Sequence, residues 1–146
     1  VFGTEKGEAM QTRLATTLHT SFEEAVEQTT KALADQGFGV LTTIDVKATL
    51  KQKLGKDMEN YLILGACNPA LAHRALDLDR QIGQLLPCNV VVRTDAADAG
   101  DTVLVEAMDP QIMVRVADQP GLQDIADQAA GKLQAAINAL SEKTKV

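Results

Sequence analysis

Two short stretches of this 146-residue chain gather the residue types that do chemistry. The first, LGACNPALAH at 64–73, joins an apolar run to a helical pattern and puts Cys67 at the junction. The second, PCNVVVR at 87–93, sets Cys88 and Asn89 just ahead of a β-branched run. A thiol before a capped helix meets backbone N–H groups and the positive helix end, which favour thiolate. Such a thiolate can form a mixed disulfide, attack an electrophile or hold a soft metal. The competing expectation is structural: small residues make a tight turn and Cys67 packs into it.

A thiol-dependent enzyme or redox protein would use Cys67 as nucleophile, Cys88 as resolving thiol and His73 to tune proton transfer. The cysteines are not spaced Cys-x-x-Cys, so the thioredoxin signature is absent. A zinc site needs three or four organised donors, and Cys67, Cys88 and His73 leave the set short, so no metal site is expected. The alternative is recognition without turnover. Cys67, Asn68, His73, Arg74, Cys88, Asn89 and Arg93 are the candidate ligand-binding residues. Asn supplies donor and acceptor, and Arg supplies a fixed donor fork, so a small polar or anionic ligand is the expected occupant. The sequence indicates no particular cofactor. Gly37-Phe38-Gly39 lacks the lysine and glycine spacing of a phosphate loop. Asp45 and Asp109 are expected to cap or turn the backbone, not to move protons.

These residues need elements to hold them. The residues at 13–20 read as a strand. Ser21 reads as an N-cap, with Glu24 completing a capping box. Phe22, Ala25, Val26, Thr29 and Leu33 mark one face of the helix that follows, and Gly37 ends it. A strand at 38–44 leads to Asp45 as cap of a second helix with Val46, Leu50 and Leu54 at four-residue spacing. Lys47 and Lys51 fall on its solvated side, and Gly55 closes it. The apolar run 61–64 reads as a buried strand, followed by a sharp turn at 65–67. Asn68 then caps a helix with Pro69 at its first position, and Leu71, Ala75, Leu76 and Leu78 are its core candidates. Strands at 90–93 and 102–108 flank a polar turn at 94–101, which predicts an antiparallel hairpin. A short helix at 111–115 follows. A final helix at 120–141 carries Leu122, Ile125, Ala126, Ala129, Leu133, Ala136, Ile137 and Leu140 on one face.

This order of elements predicts a single α+β domain over 13–142: a compact two-layer arrangement with a mainly antiparallel sheet covered by helices. Residues 1–12 are expected to be a flexible or added segment, without the hydrophobic core of a signal peptide. Apolar residues form 45% of the chain and aromatic ones only 3%, so Val, Leu, Ile and Ala must build the core and a base-stacking platform is not expected. The net charge of -6 argues against attraction to phosphate backbones. No apolar run is long enough to cross a membrane. No nucleic-acid or membrane partner is expected, and a cytoplasmic location is, with a cleaved leader left open.

Four segments together resemble the domain-of-unknown-function 302 family: SFEEAVEQTTKALADQGFGVLTTIDVKATLKQKLG at 21–55, YLILGACNPALAHRAL at 61–76, IGQLLPCNVVVR at 82–93 and EAMDP at 106–110. The resemblance implies a compact two-layer fold and a homodimer. It implies no established reaction, cofactor or catalytic residue. The function expected from the residues is therefore a soluble small-ligand-binding or accessory domain. The alternatives are a thiol enzyme using Cys67 and a structural homodimeric interaction module.

Overall fold

Five segments rich in β-branched residues form one antiparallel sheet: β1 (Ala15–Leu18), β2 (Gly39–Asp45), β3 (Tyr61–Cys67), β4 (Cys88–Thr94) and β5 (Val103–Ala107), in the spatial order β1-β5-β4-β3-β2. The computed structural model describes residues 14–98 and 102–145. The N-terminal segment 1–12 and part of the turn expected at 94–101 lie outside the described residues. The hairpin predicted across that turn is present, with Val90 opposite Ala107 and Thr94 opposite Val103.

Period-two alternation decides which side each strand residue takes. Cys88, Val90, Val92 and Thr94 of β4 are buried, as are Val103, Val105 and Ala107 of β5, while Asn89 is exposed and Val91 and Arg93 are half-buried. Helices cover the first side. They are α1 (Phe22–Asp35), α2 (Val46–Leu54), α3 (Pro69–Leu78), α4 (Gln111–Ala117) and α5 (Leu122–Lys145), with short 3-10 turns at Arg80–Leu85 and Ala96–Asp98; α2 is the exception, since it buries no residue.

The apolar stripe of α5 explains the architecture. All eight of its predicted core residues are buried, and they divide between two clusters. Leu133, Ala136, Ile137 and Leu140 pack with α1 and the sheet. Leu122, Ile125, Ala126 and Ala129 pack with Leu71 and Ala75 of α3, Ile82 and Met113 of α4. Full burial of one Leu or Ile side chain stabilises by about 1.5–3 kcal/mol, so this one helix joins both halves of the core.

Local signals behave as their chemistry dictates. Ser21 Oγ accepts from Glu24 N at 3.1 Å, Asp45 Oδ1 from Ala48 N at 2.9 Å and Asn68 Oδ1 from Leu71 N at 3.2 Å. The Glu24 carboxylate instead accepts from Gln28 Nε2, so its side chain serves an exposed i,i+4 pair. Gly55 closes α2 at φ 67°.

Two expectations need correction. The sharp turn at 65–67 is absent; β3 runs straight through Cys67, with Ala66 opposite Cys88. Gly65 is small because neighbours press on it: a Cβ there would lie 2.6 Å from Thr42 Cγ2 and 3.0 Å from Pro87 Cγ. Leu78, a core candidate, is 42% exposed, and Leu54, on the four-residue repeat of α2, is 66% exposed.

Candidate functional site

The seam between the two core clusters passes the ends of β3 and β4. Ala66 pairs with Cys88 there, and Cys67 is the last residue of β3 before Asn68 caps α3. The cap has a neighbour on the other side. A Cβ on Gly37, at φ 86°, would come within 3.0 Å of Asn68 Nδ2, so the end of α1 abuts the start of α3. Phe38 follows directly and is buried.

Together these elements enclose a cavity of about 30 Å³, room for one or two water-sized occupants. Cys67, Asn68 and Cys88 line it, with Phe38, Ala66, Leu71, Ala75, Leu86, Pro87, Ile125 and Ala129 making the walls apolar. Met113 of α4 lines it as well. Both cysteines are free; Cys88 is buried, whereas Cys67 is half-buried at the strand end.

The two thiols sense each other. Burial pushes the Cys88 thiol up from 9.0 to about 11, and repulsion from a charged Cys67 acts in the same direction. Cys88 is therefore a protonated thiol at neutral pH.

The other candidate residues stand elsewhere. His73 is 77% exposed, its Nδ1 3.7 Å from Asp77 Oδ2, and it does not line the cavity. The Cys67–His73 arrangement a thiol hydrolase needs is not assembled there. Arg74 Nη2 donates to Asp124 Oδ2 at 2.9 Å beside a shallow depression bounded by Asp77, Leu78 and Gly121. Asn89 is exposed and paired with Gly65, on the side of β4 away from Cys88. Arg93 shares that side and makes a bidentate pair with Glu106, Nε to Oε1 at 2.8 Å and Nη2 to Oε2 at 3.2 Å. The hydrogen bond to Glu106 holds the Arg93 guanidinium even more firmly in its charged form. Both arginines are thus neutralised by carboxylates, and the lining is apolar where a polar one was expected.

Met113 and Phe38 escaped sequence reasoning. Met113 sits in a short helix without a long apolar repeat, and nothing local ties it to the cysteines. Among the described residues, no group of three or more His, Cys, Asp or Glu side chains is arranged to hold a metal ion. No helix among them is long and apolar enough to cross a membrane.

An antiparallel five-stranded sheet under helices, with a thiol-lined seam at one end, defines a small α+β domain. The family model for the domain of unknown function DUF302 matches residues 14–140, and the chain belongs to that family. It is similar to the crystal structure of an uncharacterized conserved DUF302 protein from Bacillus stearothermophilus, at 29% identity and a TM-score of 0.75, over 87% of this chain and 98% of that one. No curated protein matches.

Proposed function

We propose that the domain is a small-ligand-binding or accessory domain whose site is the cavity between Cys67, Asn68 and Cys88. The observation that carries this is one apolar cavity bordered by two cysteines from separate strands, Cys88 buried and Cys67 half-buried. That lining turns the expectation of a polar or anionic ligand toward a small apolar or soft, thiol-seeking one. Two free cysteines agree with a reducing compartment such as the cytoplasm. The test is amide chemical-shift mapping on titrating isotopically labelled protein with methanethiol, a soft probe of two heavy atoms. Saturable changes should centre on Phe38, Cys67, Leu71, Cys88 and Met113. Changes scattered over the surface, or none, would remove the reading.

A second reading, a homodimer, is favoured by the sheet side the helices leave open. Ile44, Ile63 and Val91 lie in one row across β2, β3 and β4, and Ile44 is 48% exposed. Leu41 on the edge strand is 70% exposed. The charged pair on this side, Arg93 with Glu106, is self-neutralised, so a second copy meets no net charge despite the chain's -6. A five-stranded face at ~4.8 Å per strand spans about 24 Å, enough with neighbouring loops to approach the ~800 Å² per partner of a standard interface. Sedimentation equilibrium should return a dimer that Ile63→Glu dissociates. A wild-type chain that stays monomeric at all concentrations rules this reading out.

A further inference from the structure

We propose that the free edge of β2 takes up an extended acidic segment of a partner protein as a sixth strand, with the lysines of α2 meeting its carboxylates. The inference is independent of the seam cavity, which lies toward the other end of β3 from α2.

The two edges of the sheet are unequal. β1, at one edge, is four residues long, and Thr16 Oγ1 shares a hydrogen bond of 2.6 Å with Ser141 Oγ of α5. β2, at the other, is seven residues long. Every residue from 41 to 45 is exposed, and none from 39 to 63 is buried. The helix that follows, α2, packs against β3, and no strand of the described residues lies beyond β2. Proteins guard such edges with lysine or proline, but the run GVLTTI at 39–44 has neither. Its one irregularity falls between Val40 and Thr42 and leaves 42–45 in regular register.

Hydrogen-bond alternation identifies the groups that face outward. Thr94 N donates to Asn60 O at 3.0 Å, so Asn60, Leu62 and Leu64 bond toward β4, and Tyr61, Ile63 and Gly65 toward β2. Their partners Ile44 and Thr42 are therefore held by β3. The N–H and C=O of Thr43 point away from the sheet, where an added strand pairs with them. Leu41 and Ile44, 70% and 48% exposed, offer apolar contact to its side chains.

Charge selects the partner. Residues 46–56 carry Lys47, Lys51, Lys53 and Lys56 and no carboxylate, in a chain of net charge -6. Lys51 pairs with Asp57 at 3.0 Å, and Lys47 donates to Asn60 Oδ1 at 3.3 Å, both on the surface. Among the described residues, Lys53 and Lys56 have no hydrogen-bond or ion-pair partner. The Asp45 carboxylate at the end of β2 is committed to capping Ala48 N. Positive charge beside an uncharged strand favours an acidic segment. A second copy would bring the same uncharged run and leave the lysines unmet, and a lipid surface offers no strand to complete the edge.

The probe is a synthetic octapeptide of alternating valine and glutamate, titrated into the isotopically labelled chain and followed by amide chemical shifts. The expected result is saturable change centred on Thr42, Thr43 and Ile44 and extending along α2, weakened by salt. The valine–lysine counterpart, and the acidic peptide N-methylated throughout, should not bind. Thr43→Pro, which removes an outward N–H and no bond to β3, should abolish binding, while Thr43→Val keeps it. Lys53→Glu combined with Lys56→Glu should weaken it about tenfold. If Thr43→Pro unfolds the chain, the methylated peptide decides alone. Undiminished binding of either control peptide, or no saturable change at β2, overturns the proposal. Dimerisation that Thr43→Pro abolishes would assign the edge to a second copy. Cosedimentation with phosphatidylglycerol vesicles, without peptide binding, would assign the lysines to a lipid surface. Either result displaces the acidic strand.

Discussion

Ala66, not Cys67, is the register partner of Cys88, so Cys67 stands one residue further on, at the strand end, where the two residues border one cavity. The offset makes the pair unequal. Cys88 is buried and Cys67 is half-buried.

That inequality predicts an order of modification. Iodoacetamide at neutral pH should label Cys67 in the folded protein and leave Cys88 untouched until denaturant is added. Reaction requires thiolate and access, and Cys88 lacks both. Site-resolved peptide mass spectrometry checks it. Equal labelling of the two cysteines in folded protein would contradict the cavity geometry.

The raised Cys88 value also predicts an alkaline weakness. Below about pH 9 the thiol is protonated in both folded and unfolded chains, and its contribution does not vary with pH. Between 9.0 and about 11 the unfolded thiol has released its proton while the folded one retains it, so stability falls with rising pH. Each pH unit across that interval removes about 1.4 kcal/mol, which brings the loss to roughly 2–3 kcal/mol at its upper end. Urea unfolding across this range should show the loss in wild type and a shallower slope in Cys88→Ala. Parallel slopes in both proteins would show that lysine and tyrosine titration account for everything.

Thr29 is 1% exposed on the inward face of α1, and its hydroxyl has no hydrogen-bond partner. An unsatisfied buried polar atom costs about 1–3 kcal/mol, and valine has the same shape without it. Thr29→Val should therefore stabilise the fold by about 1 kcal/mol and raise Tm by about 4 °C. Thr29→Ser, which keeps the hydroxyl and opens a void, should lower it. A drop in Tm for the valine variant would mean that the hydroxyl is satisfied in solution.

What the sequence disclosed follows from periodicity. The stripe on α5 was readable because eight positions repeat one face, and no other arrangement buries them all. Alternation in β4 was equally readable, and it carries a consequence for the site. If Cys88, Val90 and Val92 point inward, Asn89 and Arg93 must point the other way, which already separates them from Cys88. Likewise Leu71 and Ala75 fix the buried face of α3, and His73 lies off it. The cavity itself was not readable. It depends on where α4 brings Met113 against the strand ends, a tertiary relation with no local signature. The stretch at 65–67 misled for a related reason: small residues suit a tight turn and a crowded sheet equally well, and only the positions of Thr42 and Pro87 decide between them.

Those two neighbours make Gly65 the most demanding small residue near the site. A methyl group added there would stand 2.6 Å from Thr42 Cγ2 and 3.0 Å from Pro87 Cγ, so a side chain or a strand must shift. Overpacking of this kind costs roughly 1–3 kcal/mol. Pro87 is the residue before Cys88, so the displacement should also reach the cavity and increase Cys88 labelling in the folded state. Gly39→Ala is the control, because a Cβ there meets nothing within 4 Å. Thr42→Ser removes the closest atom, and in a double-mutant cycle it should restore part of the loss caused by Gly65→Ala. If the two effects simply add, the crowding lies with Pro87 and the start of β4. If they couple, β2 is the element that yields.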